Sequence, residues 1–390
     1  MQFMLSNNHS RISRFVIPAL ALGGFLLQVS SGLASSTGEP DVPSAKMPRP
    51  PHSIEQELKL ANQYLSGRGV VQDPTMAAHW FERAAEGGEP EAQLEIGYLY
   101  EAGIGVSKDL GLARHWYSLA SANGLSAAKA NLGMLYLWGS GAPKNEELAA
   151  QLFREAADNG SGQAACDLGN MYLYGFGIPQ DQHMAEQWYE KGAKLHDPQA
   201  EYQLGRLLFD GKDHLHDLPA AATLLRESTA AGDVPAMYAL GLLLARNPSL
   251  ARSADETIGL LKEAASAGIW KSSMILGVLS RDGEEVRQNN NEAYYRFRVA
   301  SLQGGEEARN LVDYDLRMLS AKIGPKQTAA LDSRAEAWYQ HHNIVFEFVN
   351  KDREDRGRFL PYALAFPTDG GHALRLVPSS PGNQESESSD

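Results

Sequence analysis

Small and large apolar residues recur along most of this chain at helical spacing, and the pattern repeats every 36 residues. In one copy, Ala92, Ile96, Gly97 and Tyr100 fall on one helical face. The small residues allow a second helix to approach closely, and the large ones fill the remaining gap. We call the recurring position the frame glycine. It is occupied in turn by Ala61, Gly97, Gly133, Gly169, Gly205, Gly241 and Gly277.

A turn and a second helix follow each first helix. Gly103 and Gly105 lie where a helix end needs a residue tolerant of positive φ. Asp109 lies where a side-chain oxygen can accept the free backbone N–H groups at the start of a second helix. The second helix carries Trp116 on its inner face and ends near Gly124. The pattern therefore predicts two antiparallel helices per unit, A and B. The predicted N-caps of helix B are Asp73, Asp109, Asn145, Asp181, Asp217 and Asn289.

Self-similarity at this period is typical of a solenoid, in which stacked helix pairs form a continuous core. The consensus LGxLYxxGxGVxxDxxxAxxWYxxAAxxG resembles the Sel-1-like repeat, a relative of the tetratricopeptide repeat. The resemblance implies an all-α, right-handed superhelical α-solenoid and carries no catalytic residues. We expect seven repeats over residues 54–307 and a degenerate capping helix pair over 308–343. We expect an irregular tail over 344–390, in which IVFEFV at 344–349 forms short strands or ordered loops and the final PGNQESESSD is disordered.

The N-terminus differs from the repeats. Arg11 and Arg14 precede an apolar run at 15–29, and Ala34 suits cleavage before Ser35. This pattern is typical of a secretory signal peptide over residues 1–34, and an uncleaved anchor is the alternative. Residues 35–53 are rich in Pro and Ser and are interpreted as a linker. We therefore expect a periplasmic or secreted protein with no lipid-anchoring cysteine and no stable membrane span after cleavage.

Composition narrows the partner classes. The formal net charge is −13, which makes nucleic acid an unfavourable partner. Cys166 is the only cysteine, so no internal disulfide framework exists, and we expect Cys166 to be a small core or groove residue.

Candidate chemistry is sparse. The paired loop glycines follow a helix, where a phosphate loop would require a strand. Ser126 and Lys129 form an SxxK pair, a weak sign of a penicillin-binding enzyme, but no KTG or SDN element accompanies it. His214 and His216 lack further ligands at a metal-binding spacing. We therefore predict no catalytic residue, no metal and no cofactor.

One surface stands out as a candidate site. Positions one and four residues after the frame glycine are predicted to point away from helix B, towards a concave groove, and many are apolar or aromatic. The alternative is packing between successive A helices, which apolar periodicity alone does not distinguish from a groove. The predicted partner-binding residues are Tyr98, Met134, Trp138, Asn170, Tyr174, Tyr202, Arg206, Phe209 and Tyr238.

These features predict a non-catalytic protein-interaction scaffold or adaptor in the bacterial envelope. Its partner would be a segment of an envelope or membrane-sensor protein held on the concave A-helix face. The first alternative is binding of peptidoglycan or exopolysaccharide by the groove aromatics. The second is a penicillin-binding or cell-wall enzyme that uses Ser126.

Overall fold

A computed structural model describes residues 53–210, 217–283 and 286–355. This part of the chain contains sixteen α-helices, one short 3-10 helix and no strand. Most helices are 13 residues long and alternate between the A and B types. The helices are α1 (Ile54–Ser66), α2 (Pro74–Glu86), α3 (Pro90–Ala102), α4 (Leu110–Ala122), α5 (Ser126–Trp138), α6 (Glu146–Asp158), α7 (Gly162–Tyr174), α8 (Gln182–Lys194), α9 (Pro198–Asp210), α10 (Leu218–Ala230), α11 (Val234–Arg246), α12 (Ala254–Ser266), α13 (Trp270–Asp282), α14 (Asn290–Gln303), α15 (Gly305–Ile323) and α16 (Pro325–Asp355).

Each helix A packs on helix B of its own unit, and each helix B packs on helix A of the next unit, which gives the predicted α-solenoid. The frame glycine is required because a large side chain of helix B lies directly against it. A Cβ atom built on Gly169 would lie 2.6 Å from the ring of Tyr189, and one on Gly133 would lie 2.9 Å from Phe153. These distances are shorter than van der Waals contact, so only glycine lets the two helices approach this closely.

The predicted N-caps of helix B are confirmed. The Asp109 carboxylate accepts the backbone N–H groups of Gly111 and Leu112 at 2.8 and 2.9 Å. The equivalent Asp or Asn side chain caps α2, α6, α8, α10 and α14. Ser53, which the sequence placed at the end of the linker, is the N-cap of α1.

The last two helices depart from the repeat. Helix α16 packs mainly against α14 and less against α15, although the repeat would pair it with α15. The Tyr294 hydroxyl donates to Asp332 Oδ1 at 3.0 Å, and the Arg334 guanidinium lies 3.9 Å from the centre of the Tyr295 ring. The C-terminal cap is therefore a helix that returns across the last helix B.

The described helices correct one prediction. Residues 344–349, for which the sequence predicted strands or ordered loops, lie inside α16, which continues to Asp355. The predicted signal peptide, the rest of the linker and residues 356–390 lie outside the described residues.

Candidate functional site

The exposure of the A helices changes along the solenoid. In α3 and α5 the side chains that point away from helix B are partly open: Tyr98 is 41% exposed and Met134 is half-buried. From α7 onward successive A helices contact one another. Accordingly Leu242 of α11 and Val278 of α13, at the same repeat position, are buried. At this repeat position, packing between A helices therefore holds for the sixth and seventh units, and accessible side chains remain on the earlier ones.

Five of the nine predicted residues keep accessible side chains. Tyr98 and Tyr174 are 41% and 37% exposed, and three others are half-buried. Those three are Met134, Trp138 and Arg206.

The other four predicted residues lie inside the solenoid. Tyr202, Tyr238 and Phe209 are at most 7% exposed, so their side chains offer almost no surface to a partner. Asn170 is 3% exposed, and its Oδ1 accepts the hydroxyl of Tyr189 at 2.7 Å. Asn170 thus accepts the hydroxyl of the buried helix-B tyrosine of its own unit, and its burial keeps its side chain away from a partner backbone.

A one-residue shift explains part of this outcome. The sequence placed the position four residues after the frame glycine on the open face, but Leu137, Phe209 and Ala245 at this position are buried. The next position carries Trp138 and Tyr174, and it continues as Asp210 and Arg246. One residue turns a helix by about 100°, which separates a core column from an exposed one.

These exposed positions form a continuous band, which we call the A-end strip: Trp138, Tyr174, Phe176, Arg206, Asp210 and Arg246. The ring centres of Trp138 and Phe176 are 6.5 Å apart, and those of Tyr174 and Phe176 are 5.8 Å apart. Arg206 lies beside the Tyr174 hydroxyl. The aromatic side chains of the third and fourth repeats thus lie next to the guanidinium group of Arg206 in the fifth repeat.

The charges at the end of the strip are compensated only in part. Burial alone would lower the pKa of Arg206, but the neighbouring hydroxyls of Tyr202 and Tyr174 raise it above its ordinary value. Partial desolvation raises the pKa of Asp210, and the guanidinium groups of Arg206 and Arg246 hold part of this rise back. Two cations thus share one carboxylate, so the strip ends in a local excess of positive charge on an acidic protein.

Sequence reasoning missed three members of the strip. Phe176 lies in the loop after α7 at a repeat position that has no common residue type, so no periodic signal marks it. Asp210 and Arg246 share a column with Trp138 and Tyr174, and that column was the available signal.

The SxxK pair is engaged in packing between α5 and α6. Lys129 Nζ lies 2.9 Å from Glu155 Oε2, and Ser126 Oγ donates to the Asn159 carbonyl at 3.4 Å. The hydrogen bond from Lys129 lowers the pKa of Glu155. Both residues therefore contact the neighbouring helix, and neither is arranged to activate the other.

The remaining reactive groups are isolated. Cys166 is fully buried, as predicted, and burial raises the pKa of its thiol well above the ordinary value. His342 stacks on Trp338 with ring centres 4.0 Å apart. Among the residues that the structure describes, no three His, Cys, Asp or Glu side chains converge as metal ligands. His214 and His216 lie outside the described residues.

Within the same described ranges, no helix combines the length and the apolar character that a membrane span requires.

Comparison with known proteins agrees with this architecture. Seven consecutive segments match the Sel1 repeat family model: 57–89, 90–125, 126–161, 162–197, 198–233, 234–269 and 271–305.

The solved structures that are similar to this one include two repeat proteins. A protective antigen of uropathogenic Escherichia coli strains, which displays an SLR fold, is 23% identical with a TM-score of 0.66. The alignment covers 81% of this chain and 66% of that chain, slightly under two thirds of its length. A Sel1 repeat protein from Oxalobacter formigenes is 26% identical with a TM-score of 0.54, over 64% of this chain and 98% of that one. Among curated proteins, none matches this sequence.

Proposed function

Because this chain belongs to the Sel1 repeat family, whose members are generally protein-interaction scaffolds and typically non-catalytic, we propose that it is a scaffold that holds a partner protein segment along the A-end strip. The observation that carries the proposal is the continuity of the strip. Half-exposed aromatic side chains of two units adjoin the guanidinium groups of the next two.

The composition of the strip supports protein binding. Trp, Tyr and Arg are the residues most enriched among side chains that dominate binding energy, because each combines a large apolar area with a directional polar group. The backbone of Tyr174 and of Trp138 is already fixed in a helix, so little conformational entropy is lost when a partner docks. The positive end favours a segment that carries a carboxylate near an apolar side chain.

We place this scaffold in the bacterial envelope, as a periplasmic or secreted protein. The support is the N-terminal sequence, in which Arg11 and Arg14 precede the apolar run at 15–29 and Ala34 precedes the expected cleavage point. Mass determination of the N-terminus of the secreted chain tests this proposal. A chain that begins at Ser35 agrees with it, and a chain that retains residue 1 in the cytoplasm contradicts it.

Affinity capture tests the partner surface. The chain from Ser35 is compared with a Trp138→Ala, Tyr174→Ala variant by crosslinking in envelope extracts. The matched control is Tyr314→Ala, because Tyr314 is 45% exposed but lies on α15, outside the strip. The proposal requires a protein that the parent and the Tyr314 variant capture and that the strip variant loses by at least about tenfold.

Other outcomes separate the alternatives. Capture that is equal for all three proteins places binding elsewhere on the surface and contradicts the strip. Quenching of tryptophan fluorescence by peptidoglycan fragments, lost in the strip variant while no protein is captured, replaces the protein partner with a glycan. Melting temperatures of the three proteins must agree, so that unfolding does not imitate loss of binding.

A further inference from the structure

A tyrosine closes the junction between successive repeats in the N-terminal half of the solenoid. Tyr100 and Tyr172, three positions after the frame glycine, pack against the apolar cores on both sides of their junctions. The Tyr100 hydroxyl donates to Glu82 Oε1 at 2.9 Å, and Arg154 Nη2 donates to the Tyr172 hydroxyl at 2.9 Å. In both cases the ring fills the space between helix A and the preceding helix B.

The seventh repeat lacks this ring. Leu208 and Leu244 occupy the position in the fifth and sixth repeats, and Ser280 occupies it in the seventh. A cavity of about 300 Å³ that is partly open to solvent lies at this junction, lined by Ser280 and by Lys262 of the preceding helix B. Lys262 is the repeat equivalent of Glu82 and Arg154, the residues that bind the tyrosine hydroxyl elsewhere. The cavity therefore lies at the repeat position that the tyrosine ring occupies at the N-terminal junctions.

Two further positions around the cavity carry charged residues where the first repeat carries apolar ones. Arg296 lies where the first repeat has Trp80, and Glu292 lies where it has Met76. Ile258, Leu276 and Val286 supply the apolar part of the lining.

Among the lining residues that the structure describes, cations outnumber carboxylates. Glu292 is already paired, because its Oε1 lies 2.7 Å from Arg296 Nε and its Oε2 lies 3.8 Å from Arg334 Nη1. Within the described part of the chain, Lys262 and Arg287 form no ion pair. The side chains of Lys262 and Arg287, neither of which is in an ion pair, therefore border an apolar space that accommodates a ring.

We propose that this junction, which we call the Ser280 pocket, binds a small aromatic acid. The ring occupies the space that tyrosine fills at other junctions, against Leu276 and Val286, and the anionic group accepts hydrogen bonds from Lys262 and Arg287. The volume is adequate, because a cavity of roughly 150 Å³ already accommodates benzene. This site is separate from the A-end strip and does not depend on the proposed scaffold function.

The test uses phenylacetate as the probe, titrated into the full chain while the backbone amide signals of Ser280 and Val286 are followed by NMR. Binding with a dissociation constant of about 1 mM is expected, an affinity within reach of a ten-atom ligand. Phenylacetamide, which has the ring without the charge, should bind at least about tenfold more weakly, and acetate should produce no saturable shift.

Filling the cavity supplies the matched variant. Ser280→Tyr introduces the side chain that other junctions use, and Ser280→Leu introduces the one at Leu208 and Leu244, so at least one is expected to fold. Either folded variant should abolish the phenylacetate shifts, and Lys262→Gln should reduce the preference for phenylacetate over phenylacetamide, because Arg287 remains. Absence of saturable binding up to about 20 mM in the parent, or binding that survives both Ser280 variants, would overturn the proposal.

Discussion

The Cα atom of Gly97 lies against the ring of Tyr117, so closely that a Cβ atom at Gly97 would be 2.7 Å from Cδ1 and Cε1 of the ring. The contact joins helices A and B of the second repeat, and Tyr117 is fully buried. We predict that Gly97→Ala lowers the free energy of unfolding by about 1–3 kcal/mol, because the ring must move within a packed core. Urea unfolding followed by circular dichroism measures this change.

Gly259 provides the matched control, since it lies within α12 and a Cβ atom there meets no atom within 4 Å. Gly259→Ala is expected to stabilise the protein by about 0.5–1 kcal/mol through reduced backbone freedom in the unfolded chain. Equal effects at Gly97 and Gly259 would contradict the role given to the frame glycine.

Asp167 makes stability depend on pH. Asp167 is 5% exposed, and its Oδ2 has no hydrogen-bond partner. Burial first, and then the charge of Asp197, raise its pKa to about 8. Since the unfolded value is about 3.9, the folded state holds the extra proton between these values, and stability falls as pH rises from about 4 to about 8.

Asp167→Asn removes the ionisable group. At pH 8.5 the variant should melt at least about 3 °C above the parent, and the difference should shrink towards zero near pH 4. Asp181→Asn, which makes the same substitution at an exposed N-cap carboxylate, is the matched control. Melting curves that differ by the same amount at every pH would contradict the buried-carboxyl explanation.

Helix α16 packs on α14 through a small buried surface. On the α16 side, Ala335 is fully buried and Leu331 is 5% exposed. Ala335→Glu should release α16, because a carboxylate would be buried without a partner. Limited proteolysis should then cleave within α16 at least about tenfold faster. Ala337→Glu places the same charge on an exposed position of the same helix, and cleavage of that variant should match the parent.

The repeat architecture was predictable because each recurring residue has a local physical cause. The frame glycine is set by the helix-B ring against it, and Asp109 by the orphan N–H groups at the start of α4. Such causes act within one unit and are identical in every unit, so a single sequence displays them several times.

Properties that depend on how units stack were not predictable. Whether Phe209 is open or buried depends on how closely α7, α9 and α11 approach one another, which no single repeat specifies. The return of α16 onto α14 involves single contacts, such as Arg334 on Tyr295, that have no periodic counterpart. The Ser280 pocket needed both kinds of information: the sequence shows that tyrosine is replaced at this repeat position, and the structure shows a pocket beside Ser280.

Site-specific photocrosslinking tests the central claim most directly. A photoreactive benzoyl-phenylalanine is placed at Tyr174, within the A-end strip, and separately at Tyr314, which has similar exposure on α15. The full chain is produced in its own cells and irradiated. The scaffold account predicts a discrete protein adduct from position 174 that is absent from position 314 and is lost when Trp138 is changed to Ala. An adduct of equal yield from both positions, or from position 314 alone, would contradict it.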